Sequence, residues 1–313
     1  MGKEVIQPSN VRFIGSDPMF LDSIKIDFET YKAKAKMGKL GELPKTAELI
    51  ERISAIRKAL LEFGATELEI DLSNRLPDND QIHLLSPVQF QYETEMREGI
   101  GGVSNIPGEI IIKNRLYVGN ILYAISHELV HTVSYKSIHA TELKMDFVRW
   151  GYSTHQTDSK TIFDLVDEAV TEMTNYEIAS NYWPKQDLLN TDNILSKVEY
   201  HFRPSVILFD EIIKKVASVK GWKYKTVWRE LQKGNFLGES KGLKMITQVF
   251  GKERMKKLAD WRENSAKSAV VMAMNLANDK NELEWAEKIG VKILKGEYQI
   301  NNIPIMGDII KQV

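Results

Sequence analysis

The stretch that most limits what this chain can fold into is LYVGNILYAISHELVHTVSYK, residues 116–136. Between Val118 and Val133 its one acid or base other than histidine is Glu128, so the segment predicts a helix packed on most of its circumference. At about 100° per residue, Val118, Ile121, Leu122, Ile125 and Leu129 form one apolar stripe. His127 and His131 fall roughly opposite that stripe. Residues four apart on a helix are stacked neighbours, so both imidazoles can address one cation. The pattern His127-Glu128-Leu129-Val130-His131 is H-E-x-x-H, which arises by chance in roughly one protein in a hundred of this length. Glu128 sits beside the first histidine, angled off the metal direction, where it can reach a water on the metal and act as a general base. The plain alternative is a pair of helix histidines that cap or pair with carboxylates.

A catalytic zinc needs a third protein ligand and an open position. The run TIFDLVDEAVTEMTNYEIA, residues 161–179, repeats Asp164, Glu168 and Glu172 every fourth residue, opposite Phe163, Val166 and Val170. Like charges at that spacing repel, and a divalent cation in front of the row relieves them. Glu168 is the strongest candidate ligand, with Glu172 placed to hold a ligand histidine by its second ring nitrogen. An acidic, solvated helix face is the competing explanation.

With Asp167-Glu168-Ala169-Val170-Thr171-Glu172 added to His127, Glu128 and His131, the pattern resembles the gluzincins, the thermolysin-like zinc metallopeptidases. Their second helix carries an Asn-Glu-x-x-Ser/Thr-Asp/Glu element, and Asp167 stands here where Asn is common. The resemblance implies a zincin-like, two-lobed fold with Zn2+ held by His127, His131 and Glu168. It implies Glu128 as the residue that activates water, and Glu172 behind His127. It also implies a peptide or protein substrate, and an oxyanion-stabilising residue downstream of the second helix. Tyr200 is the first candidate for that role and His201 the second, with Tyr152 and His155 further outsiders. Thirty-six residues separate His131 from Glu168, more than in thermolysin, which implies an insertion beside the cleft. The third histidine of the metzincins is missing, since His139 has no such frame. An edge strand ahead of the active helix binds extended peptide in this family, and Gly101 to Ile106 is the candidate here. An ordinary hairpin strand would look the same.

Composition narrows the ligand chemistry. The 313 residues include no cysteine, so thiol nucleophiles, iron-sulfur clusters and cysteine-held zinc are excluded, leaving six histidines and the acids. The net charge of -1 conceals a segment, residues 212–262, with 14 Lys or Arg against 4 Asp or Glu, interleaved with Trp222, Tyr224, Trp228, Phe236, Phe250 and Trp261. That segment permits a nucleic-acid reading, against which stands a helical core with a solvated basic outside. A catalytically silent zincin-like binding protein is a third reading. Neither a membrane span nor a signal peptide is visible, so the expected setting is the cytoplasm.

The fold class expected is α+β. An N-terminal lobe, residues 1–136, carries a small sheet and the H-E-x-x-H helix, and a mainly helical lobe, 137–313, carries Glu168. The apolar face of Leu49, Ile50, Ile53, Ile56 and Leu60 predicts a helix over 46–63 that stops at Gly64. Alternation predicts strands through Leu68, Ile70 and Leu72 and through Val88, Phe90 and Tyr92. A hairpin is expected over 101–113, and a short strand pair or ordered loop over 146–158. His83 is placed among strand residues, His139 on a polar turn, and the closing residues 297–313 as a strand or docked tail.

Overall fold

The helix expected over 46–63 forms as α2, and its start shows why. In the computed structural model, which describes residues 11–94, 101–105, 108–114, 118–141, 144–156, 160–183 and 203–296, α2 spans Ala47–Phe63, with the Thr46 hydroxyl accepting the Leu49 N–H. Its buried face is Ile53, Ile56, Ala59, Leu60 and Phe63. The α-helix ends at Gly64 as expected, although that residue keeps a right-handed helical φ of -56°. The chain continues through a π turn, Gly64–Leu68, and ends on Glu69 in the left-handed region at φ 59°.

The strand expected through Leu68, Ile70 and Leu72 does not form. Those three side chains are buried as the alternation requires, but Glu69 turns the backbone out of the extended region and the Ile70 N–H returns to Gly64 O. The second expected strand is a helix, α3, Pro87–Thr94. Ser86 caps it, accepting from the Gln89 N–H on its hydroxyl and from the Phe90 N–H on its carbonyl. Proline at the first helical position completes a start signal that outweighs the β-like alternation. Phe90 alone of its residues is fully buried, against Leu85 and Ile111.

The chain divides into two compact units, one from residues 1–150 and 174–201, the other from 151–173 and 202–313. In the first, β2 (Ile82–Leu85) lies parallel to β4 (Glu109–Lys113), and β3 (Gly102–Asn105) pairs antiparallel to β4 in the expected hairpin. The order β2-β4-β3 puts β4 in the centre, where Ile110, Ile111 and Ile112 are all buried, and leaves β3 at an edge. The active-helix candidate α4, Val118–Val133, packs on β3 and β4 and against α2. Three more strands belong to this unit: β1 (Val11–Gly15) runs parallel to β5 (Lys136–Thr141), and β5 antiparallel to β6 (Lys144–Trp150). His139 therefore lies in a strand, not a turn. Helix α1, Pro18–Lys34, is capped by Asp17 and has no fully buried residue. His83, on β2, is fully buried with Nδ1 3.0 Å from Glu42 Oε2 and Nε2 2.9 Å from Ala35 O, which commits both ring nitrogens.

In the second unit β7 (Ser153–Gln156) and β8 (Thr161–Ile162) pair antiparallel. The rest is helical: α6 (Arg203–Lys220), α7 (Tyr224–Leu237), α8 (Lys241–Phe250), α9 (Lys252–Ala259), α10 (Ala266–Leu276) and α11 (Lys280–Lys295). Helix α5, Asp164–Asn181, begins in this unit and ends in the first. The architecture is α+β with small mixed sheets. Among the described residues no helix is long and apolar enough to cross a membrane. The expected strand or tail at 297–313 lies outside the described residues.

Candidate metal centre

Helix α4 is buried around nearly all of its described circumference. Ile121, Leu122, Ile125 and Leu129 are at most 5% exposed, and His127, Glu128 and His131 on the opposite side are 8%, 7% and 8% exposed. Burying two imidazoles and a carboxylate together is expensive unless they are engaged. His127 Nε2 and His131 Nε2 face one another at 3.1 Å, with ring centroids 4.8 Å apart and planes at 71°. Two ligands held at about 2.0–2.1 Å by one tetrahedral zinc lie about 3.3 Å apart, so the pair has the separation of co-ligands. An N–H···N hydrogen bond would use a similar distance. A third donor lies close by: ligand atoms of His127, His131 and the half-buried Glu168 are all within 4.8 Å of one another, a group that could hold a metal ion.

Glu168 is brought there by α5. Near its end, the Asn175 side-chain amide donates to Tyr123 O of α4 at 3.3 Å, fixing one helix on the other. Nearer its start, Asp167 Oδ1 accepts the Tyr152 N–H at 2.6 Å and the Asn235 amide at 2.8 Å. Asp167 thus anchors the Tyr152 backbone and the Asn235 side chain. Gly151 makes that anchor possible: its φ is 55°, and a Cβ there would fall inside the Asp167 carboxylate. The acidic row is electrostatically loaded, as its spacing implied. Burial, then the charges of Glu168 and Asp167, push the Asp164 carboxyl above its ordinary range, opposed by a hydrogen bond from Ser153 and the nearby His155. Glu172 is buried one turn beyond Glu168.

Neither a family model, a curated protein nor a solved structure matches this chain.

The functional reading therefore stands on the residues themselves. Tyr200 and His201 lie outside the described residues. Tyr152 is buried and its hydroxyl donates to Leu231 O at 2.7 Å, which commits it to structure. His155 is exposed on β7, beside Ser153 and Thr161. In the basic segment, Trp228, Phe236, Phe250 and Trp261 are buried, and Tyr224 donates to Asp210 at 2.7 Å, leaving Trp222 as its one exposed aromatic. Base stacking needs aromatic faces at the surface, so the interleaving that motivated a nucleic-acid partner is mostly core.

Gly102, within the candidate substrate edge, lies against Glu128 itself, a contact that the sequence did not foretell. A Cβ on it would stand 2.8 Å from Ile112 Cδ1, 2.9 Å from Glu128 Cγ and 3.1 Å from Glu128 Oε1. The edge strand and the Glu128 side chain are thus packed face to face with no room for a methyl. Gly102→Ala is expected to cost about 1–3 kcal/mol in urea unfolding, the usual penalty of overpacking. In a Glu128→Ala background the same change should cost much less, since only the flexible tip of Ile112 then obstructs it. Equal costs in both backgrounds would show that Glu128 does not rest on Gly102.

Proposed function

We propose that the chain is a zinc-dependent metallopeptidase of gluzincin type, with a zincin-like arrangement, acting on peptide or protein substrates. The observation that carries this reading is that ligand atoms of His127, His131 and Glu168 lie within 4.8 Å of one another. Two imidazoles and one carboxylate are a donor set suited to Zn2+ that leaves a coordination position open for chemistry. When bound, the ion would polarise a scissile carbonyl and make water more acidic.

The rest of the work belongs to the chain. Glu128 is nearly excluded from solvent, next to a ligand in sequence and pressed against the edge strand at Gly102. Its carboxylate takes a proton from the attacking water and delivers it to the departing amine nitrogen. Strand β3 offers an extended peptide an edge on which to pair by backbone hydrogen bonds close to that carboxylate. Tyr200 or His201 supports the oxyanion, and Glu172 steadies His127. The proposed setting is the cytoplasm, where a chain without cysteine loses nothing to reducing conditions.

Metal analysis tests the centre directly. Protein exposed to zinc and desalted should carry about one ion per chain, and His131→Ala or Glu168→Ala should lose it. Failure of the wild-type chain to take up zinc removes the enzyme and the silent zincin-like binding protein together.

A further inference from the structure

His131 lies in the last turn of α4, where backbone carbonyls run out of helical partners. Last turns fray, and a metal ligand placed on one frays with it unless the end is tied down. Here all four terminal carbonyls are answered. Val130 O accepts from the Ser134 hydroxyl at 2.8 Å, and Val133 O accepts from Arg75 Nη1 at 3.1 Å. The carbonyl of His131 itself accepts the Trp150 indole N–H at 2.6 Å, and Thr132 O accepts Lys136 Nζ at 2.6 Å.

The last two donors form a unit. The Trp150 ring stands edge-to-face against the His131 imidazole, with centroids 6.2 Å apart and planes at 75°. Lys136 Nζ lies 4.8 Å from the centroid of the Trp150 ring. Lys136 is 1% exposed and pairs with no acid among the described residues, so ordinary surface electrostatics do not account for it. Its ammonium touches the carbonyl next to the ligand and the ring that braces the ligand. Lys136 and Arg75 also meet the negative end of the helix dipole.

We infer that Trp150 and Lys136 are positioning residues for His131, Trp150 by holding its carbonyl and bracing its ring, Lys136 by holding Trp150 and the adjoining carbonyl. The inference rests on the metal reading of the site and adds residues in which the sequence carried no ligand signal.

The test uses the full chain and zinc itself, competed against a chromophoric chelator at a temperature where circular dichroism shows every variant folded. Trp150→Phe keeps a ring and removes the indole donor, and Lys136→Met keeps length and removes the ammonium. Each is expected to weaken zinc binding by about tenfold, the lower end of what loss of a ligand's supporting partner costs. The double variant should be about as weak as the weaker single one, because both act through one arrangement. Zinc affinity within about twofold of wild type in the folded variants would reduce the pair to a helix cap and overturn the inference, as would failure of both variants to fold. A wild-type chain that binds no zinc is a separate outcome, seen before any substitution is made, and it removes the metal reading with the inference that rests on it.

Discussion

Glu128→Gln is expected to leave zinc binding unchanged and to lower kcat/KM for peptide hydrolysis by about 10²- to 10⁴-fold, the range general acid–base catalysis contributes. The substitution isolates the proton. Glutamine has the same shape, so the close packing against Gly102 and Ile112 survives, and His127 and His131 keep their 3.1 Å approach. What is lost is an oxygen able to accept a proton from water and return it to the leaving amine. The measurement is turnover of a peptide that the wild-type chain cleaves, selected from a random library, alongside the zinc content of both proteins. Unchanged turnover with zinc retained would take the base role away from Glu128, whereas lost zinc would show a structural fault.

Lys136→Met is expected to change the pH dependence of stability strongly. Burial, then the charge of Arg75, pushes the Lys136 ammonium down to about 7. In the unfolded chain the same group titrates near 10.5, so between these values the unfolded state binds the extra proton. Stability therefore rises with pH across that window, and the full penalty of burying a cation applies below about pH 7. The interval corresponds to a change on the order of 5 kcal/mol. The methionine variant has no such group. Its stability relative to wild type should be highest at pH 6 and fall by about that amount as pH approaches 10, read from urea unfolding at both ends. Parallel stability profiles would show that Lys136 is not buried as a titrating group. Combined with weaker zinc binding, the expected gain at low pH would mark Lys136 as a residue that costs the fold stability while serving the site.

Several parts of this structure were legible because they depend on neighbours in sequence. The apolar face of α2, the stacking of His127 on His131 and the acidic repeat of α5 are consequences of helical periodicity, which acts over four residues. The β3–β4 hairpin follows from local turn chemistry. Alternation was less dependable. At Leu68, Ile70 and Leu72 it reported which side chains are buried, but Glu69 in the left-handed region prevented a strand. At Val88, Phe90 and Tyr92 it was overruled by the Ser86-Pro87 start signal that was available in the same residues.

The chain by itself determined the candidate donor types and their spacing on two helices: with no cysteine and six histidines, H-E-x-x-H and the acidic repeat left few other candidate ligands. Tertiary structure decided what those helices do. It brought Glu168 within reach of the two histidines across an interval of 36 residues, in which β6 and β7 lie where a strand pair or ordered loop is expected over 146–158, whereas β5, at His139, stands where a turn is expected. It also placed Gly102 under Glu128, Asp167 on the Tyr152 backbone, and Trp150 and Lys136 on the end of α4. Periodicity fixes which residues share a face of one helix. Which backbone, ring or cation meets that face is settled only when distant segments pack together.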